Sequence, residues 1–264
     1  MLRLDQLSLS FSRYQGLLTR TQLPCLSGVS FDIRAGEIVA VLGASGAGKS
    51  LLAHAVVGLL PANANLGGQI LFRGETLDPA RQARLRGRDI ALVPQSIAYL
   101  DPLARIGRQV VWAARRGGIP SGESRSAARR SLMAYGLEEN VLALFPHQLS
   151  GGMARRVLLA IATVAKPSLI IADEPTTGLD AANITIAMSH LRAHADQGRG
   201  VMLITHDIPA ALSVADRVVI IRDGRTIEIA APAAFSGKAD QLKTKYARRL
   251  WNALPANDFE MGIA

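Results

Sequence analysis

Cysteine is nearly missing: Cys25 is the single thiol in 264 residues. One thiol excludes an internal disulfide framework, a zinc ribbon or an iron–sulfur cluster built from this chain alone. Aromatic residues make up only 5% of the sequence, and none interleave with the arginine clusters at 81–88, 115–116, 125–130 and 248–249. That leaves few rings on which unpaired bases could stack, so no nucleic-acid partner is expected. Long hydrophobic runs are lacking too. The longest, Val157 to Ala165, ends at Lys166, far short of the ~18–20 continuous apolar residues of a membrane span. The chain opens Met-Leu-Arg-Leu-Asp-Gln and alternates at once, so no secretory leader is expected and the expected compartment is the cytosol. Acidic residues are the minority, 21 against 30 basic ones, giving a net charge of +9. Most of that excess reads as solvated helix faces. The rest suits phosphate groups or an anionic inner membrane surface.

What is present is a globular pattern, 49% hydrophobic, in which short apolar runs alternate with helical periodicity. Leu2 to Phe11 and Val29 to Ile33 alternate as strands, and Ser12 to Ser27 between them reads as a long loop. Glu37–Leu42, Gln69–Arg73, Asp89–Pro94, Ser168–Ala172, Val201–Thr205 and Val218–Ile221 read as further strands, and Asp223-Gly224 as a hairpin turn into Thr226–Ile229. Pro61 to Gly68 is rich in turn residues. Helical spacing runs from Leu51 toward Pro61, from Leu103 to Leu144 with breaks at Gly117–Pro120 and Gly136, from Ala181 to Ala195 and from Ile208 to Ala215. Alternating strands and helices imply an α/β fold around a mostly parallel sheet. The segment from about 96 to 155 has no strand and reads as a helical insertion; after residue 230 the chain reads as a short basic helical tail.

Three stretches carry chemistry. Gly43-Ala44-Ser45-Gly46-Ala47-Gly48-Lys49-Ser50 fits G-x-x-x-x-G-K-[ST] at every fixed position, between a buried strand and a helix. Small residues let backbone N–H groups turn toward phosphate oxygens, and the helix start adds its positive dipole end. Lys49 is then placed for the β/γ-phosphates of a nucleoside triphosphate and the Ser50 hydroxyl for Mg²⁺. Leu169-Ile-Ile-Ala-Asp173-Glu174 is a buried strand ending in two carboxylates, at the carboxyl edge where parallel sheets bind ligands. Asp173 suits Mg²⁺ through water, and Glu174 is a general-base candidate. Leu149-Ser150-Gly151-Gly152 opens a helix near Met153 and offers a second anion site of N–H groups and a hydroxyl.

The order of these motifs, with Gln95 after a strand and His206 after Val-Met-Leu-Ile-Thr205, resembles the ABC-type ATPases over roughly residues 2 to 230. The resemblance implies a P-loop (RecA-like) α/β core carrying an antiparallel β subdomain and the inserted helical subdomain, with the ATPase domain over 1–230 and the tail over 231–264. It implies two such subunits meeting head to tail, with ATP between the phosphate loop of one and Ser150-Gly151-Gly152 of the other. By the same resemblance Gln95 senses Mg²⁺ and the membrane partner, His206 contacts the γ-phosphate and helps fix the attacking water, and Asp180 lies at the dimer seam. Phe11 or Tyr14 would stack on adenine, with Phe11 preferred. Phe145–Met153, Ala172–Asp180 and Val93-Pro-Gln-Ser with Leu100–Leu103 resemble the ATP-binding subunits of peptide/nickel importers, and the absence of clustered cysteines before Ala264 favours the shorter nickel or metallophore type. The expected partners are a second, different ATPase subunit, two permeases and an external binding protein, at the cytoplasmic face of a bacterial inner membrane. Uptake of peptides is the alternative, and a non-transport ATPase acting on nucleic acid the alternative of another class.

Overall fold

A computed structural model of the chain describes residues 1–15, 19–237 and 239–254. Ten strands and eight α-helices follow in the order β1 (Leu2–Gln15), β2 (Thr19–Ile33), β3 (Ile38–Leu42), α1 (Lys49–Val57), β4 (Ala64–Phe72), β5 (Glu75–Thr76), α2 (Pro79–Leu85), β6 (Ile90–Val93), α3 (Ile106–Arg116), α4 (Ser121–Ala134), α5 (Gly151–Thr163), β7 (Leu169–Asp173), α6 (Ala181–Asp196), β8 (Gly200–Ile204), α7 (Ile208–Leu212), β9 (Arg217–Arg222), β10 (Arg225–Ala230) and α8 (Lys245–Asn252). They build two sheets. An antiparallel one runs β2-β1-β4-β5, and a six-stranded one runs β10-β9-β3-β8-β7-β6, parallel except for β10.

The parallel strands are apolar on both faces because both are covered. In β3, Ile38, Ala40 and Leu42 face one core and Val39 and Val41 the other. The first core lies under α3 to α8; the second holds α1 sandwiched against the antiparallel sheet through Leu52, Val56, Leu4, Leu9 and Phe72. Complete burial of each large aliphatic side chain contributes about 1.5–3 kcal/mol. The fold thus pins α1, and the loop before it, between two sheets.

Two expected elements are corrected. Ser12 to Ser27 is largely strand, not loop: β1 and β2 pair antiparallel as far as Gln15 and Thr19. Ser10, Ser12, Gln22 and Asn65 hydrogen-bond one another across this polar extension, which has outrun the core and so shows no apolar alternation. β2 is an edge strand, where Pro24 is tolerated. Likewise β4 starts at Ala64, inside the stretch read as turn. The register shifts between Asp5 and Ser8 opposite it, and Gln6 adopts a φ of 49°, the signature of a bulge. In the tail, α8 supplies the expected helix, and residues 255–264 lie outside the described residues. Among the described residues no helix is long and apolar enough to cross a membrane.

Burial also sets a pH dependence. His194 on α6 is buried, with Nε2 2.9 Å from the Pro167 carbonyl. Burial first, then the Arg199 charge, pushes its pKa down to about 4 from 6.5. Between those values the unfolded chain binds a proton that the folded chain refuses, so stability falls as pH drops through that window and is unaffected above it. Urea unfolding midpoints should decline from neutral to acid pH, and His194→Gln should flatten that decline.

Candidate functional site

The loop after β3 is built by close approach. Gly48, at the N-cap of α1, has a φ of 92°, and a Cβ there would sit 2.6 Å from the Leu26 side chain. Among the described residues no side chain caps the first turn of α1; the Leu51 N–H turns to the Gly48 carbonyl, which leaves the Lys49 and Ser50 N–H groups for an anion. Lys49 is buried and folds back on the loop: its Nζ donates to the carbonyls of Gly43 at 2.8 Å and Ala44 at 2.9 Å. An ammonium has three N–H donors, so one is left for a phosphate oxygen. Burial lowers the Lys49 pKa, and the Glu174 and Asp173 carboxylates oppose that.

Strand β7 delivers Asp173 and Glu174 opposite this loop. Asp173 is buried, its pKa raised chiefly by that burial, with the nearby Ser50 hydroxyl opposing the rise. Its Oδ1 has no hydrogen-bond partner among the described residues. A buried carboxylate oxygen with no donor, beside a hydroxyl, is the hard oxygen donor set that Mg²⁺ prefers. Glu174 has a φ of 51°, a left-handed backbone that costs a non-glycine residue about 1–3 kcal/mol. Its N–H donates to the Ile204 carbonyl at 2.8 Å, and its Oε2 accepts from the Thr205 hydroxyl at 3.2 Å. His206 Nδ1 lies 2.7 Å from the same oxygen. A carboxylate only accepts, so Nδ1 carries the proton. The Glu174 side chain is 9% exposed and that of His206 72%, so the imidazole covers the carboxylate from the solvent side.

Ser45, Gly46, Gly48, Lys49, Ser50, Leu51, Gln95, Glu174 and His206 line one cleft of about 530 Å³. Four separate stretches of sequence therefore converge: the phosphate loop, the end of β6, the end of β7 and the end of β8. The other expected residues lie elsewhere. Ser150 caps α5, its Oγ accepting from the Met153 N–H at 3.2 Å, with Leu149 just before it. Asp180 caps α6 by accepting from the Asn183 N–H at 2.8 Å. These two helix starts are neighbours, since a Cβ on Gly152 would lie 3.6 Å from the Leu179 side chain. Phe11 packs half-buried against the second core and does not line the cleft; the Tyr14 side chain lies outside the described residues.

Sequence reasoning missed Arg155. This buried guanidinium on α5 donates to the carbonyls of Pro94 at 2.9 Å and Gln95 at 2.6 Å. A two-carbonyl fork suits Arg and not Lys. A charged residue at an inward position of an otherwise apolar helix face was the available signal.

A family model described as ABC transporter matches residues 26–177, more than half of the chain. The chain belongs to the ABC transporter family of ATP-binding cassettes. The cassette is 32% identical over 241 residues to the metal-staphylopine import system ATP-binding protein CntD of Staphylococcus aureus strain Mu50, covering 86% of this chain and 87% of that one. It is 33% identical over 240 residues to the oligopeptide transport ATP-binding protein OppD of Bacillus subtilis strain 168, covering 86% and 65%. Among solved structures, the dimeric post-hydrolysis state of the ATP-binding cassette MJ0796 bound to ADP and Pi matches with a TM-score of 0.76 at 28% identity, covering 88% of this chain and 99% of that one. The cassette thus has the expected α/β P-loop fold and is an ATP-binding, transport-coupled ATPase.

Proposed function

We propose that the cassette hydrolyses ATP to energise a bacterial importer of nickel or another metal carried by a metallophore. One observation carries the catalytic part: the Glu174–His206 pair faces Lys49 across a single cleft. The loop 43–50, through those of its N–H groups not already donated to Tyr246 or to the Ala44 carbonyl, and the Lys49 ammonium hold the β/γ-phosphates. Ser50, Asp173 and Gln95 are the residues to hold Mg²⁺, which when bound neutralises charge on the transferred phosphoryl group. Glu174 accepts a proton from the attacking water. Thr205 and His206 fix the orientation of that carboxylate, and the exposed imidazole contacts the γ-phosphate. The chain's contribution is positioning and charge stabilisation rather than covalent chemistry.

The reading extends to a dimer. Leu149, Ser150, Gly151 and Gly152 serve the nucleotide of a partner cassette, Asp180 lies at the seam, and Phe11 stacks on adenine. The partner is a second ATPase subunit, joined to two permeases and an external binding protein at the cytoplasmic face of the membrane. The cargo reading draws support from the relative named for metal-staphylopine import. The relatives named for oligopeptide transport favour a second reading, peptide uptake. Deleting the gene separates them. Under metal limitation, cellular nickel, cobalt or zinc should fall while growth on peptides is spared, and a Lys49→Ala copy should fail to restore metal content. Unchanged metal content with lost peptide uptake would establish the second reading and leave the ATPase intact.

A further inference from the structure

The C-terminal helix touches the phosphate loop. On α8 the Tyr246 hydroxyl accepts the Ala44 N–H at 3.0 Å, bridging 202 positions of sequence. That N–H belongs to the peptide unit between Gly43 and Ala44. The other end of the same unit, the Gly43 carbonyl, accepts Lys49 Nζ at 2.8 Å. Hydrogen bonds at the two ends of one amide polarise each other and fix its plane. The unit has little other freedom, since a Cβ on Gly43 would run into the Ile221 carbonyl oxygen.

Tyr246 is itself held. The Arg222 guanidinium, one residue beyond Ile221, lies 5.0 Å from its ring centroid. The start of α8 is clamped by Glu228 on β10, a buried carboxylate that accepts from the Lys243 N–H at 2.7 Å, the Thr244 N–H at 2.9 Å and the Thr244 hydroxyl at 2.6 Å. Trp251 Nε1 donates to the Gly237 carbonyl at 2.9 Å, and its ring meets Phe235 edge-on. A segment outside the matched family region of 26–177 is therefore folded back so that one hydroxyl reaches the loop.

We infer that Tyr246 is a positioning residue of the nucleotide site: through the Gly43–Ala44 peptide it sets where the Lys49 ammonium stands. The inference rests on the reading that Lys49 binds the β/γ-phosphates. It makes the tail a device for tuning ATP affinity, since anything that lifts α8 from the loop loosens the grip on nucleotide without touching Glu174.

Tyr246→Phe tests this, because it removes the hydroxyl and keeps the ring on Arg222. Loss of one hydrogen bond is worth about a factor of three to ten in affinity. In the assembled transporter the ATP KM should rise by that factor while kcat stays within about twofold of wild type. Binding of ADP, which keeps the β-phosphate, should weaken alongside ATP, and the melting temperature without nucleotide should not move. Glu228→Gln together with Thr244→Val, which releases the start of α8 and leaves Tyr246 intact, should reproduce the KM effect. An unchanged KM in Tyr246→Phe overturns the inference. So does a loss in Tyr246→Phe that tracks a lowered melting temperature without nucleotide, which is what a purely structural helix would give. If instead Lys49→Ala keeps normal ATP affinity, the phosphate-binding reading fails, a different result.

Discussion

Glu174→Gln is expected to bind ATP normally and to lose turnover by about 100-fold or more, the usual scale of general-base loss. The amide is nearly isosteric with the carboxylate and can still accept from Thr205 and His206, which now lie 3.2 and 2.7 Å away. It cannot take a proton from water. Phosphate release from the assembled transporter, beside equilibrium ATP binding, separates the two effects. Turnover near the wild-type rate would sink the general-base assignment. The unusual backbone at this residue sharpens the test: Gln and Glu bear the same cost at a φ of 51°, so any difference lies in the side-chain chemistry.

Gly151→Asp is the second large effect, and it should appear only in the complex. Nothing lies within 4 Å of a Cβ built on Gly151, and the residue sits at the exposed start of α5. The substitution therefore leaves the fold and the cleft around Lys49 untouched. In a head-to-tail dimer it sets a carboxylate against the partner's γ-phosphate. Such like-charge contact costs several kcal/mol, enough to suppress closure and turnover by about 100-fold or more. ATP affinity of the isolated subunit should match wild type, while ATP-dependent dimerisation and hydrolysis are lost. An equal loss of ATP binding in the isolated subunit would mean that the site is not shared.

These residues were legible in the sequence because each motif is short and its chemistry is local. A phosphate loop needs small residues before Lys49, and a strand that ends in two acids at a parallel sheet's edge needs only its own alternation to be seen. What the sequence could not show is what distant segments do to one another. The β1–β2 extension reads as loop because its stabilising contacts are Ser, Gln and Asn side chains facing each other, a pattern with no hydrophobic period. The contact of Arg155 with Gln95 and that of Tyr246 with Ala44 span 60 and 202 positions; neither has a local spacing to betray it. Phe11 is half-buried and packs against the second core, a contact with distant residues that its place on the first strand does not reveal.

The fork from Arg155 has a mechanical consequence. The chain leaves the parallel sheet after β6, runs through α3 and α4, and returns along α5. Arg155, on the returning helix, grips the carbonyls of the outgoing strand at Pro94 and Gln95. From Arg155 back to Ser150 is five residues of α5 and its cap, about 7.5 Å of helix at 1.5 Å per residue. A rigid strut of that length joins the segment around Gln95 to the Ser150-Gly151 turn. The two positions are thus tied through one helix and one side-chain fork, with no loop between them.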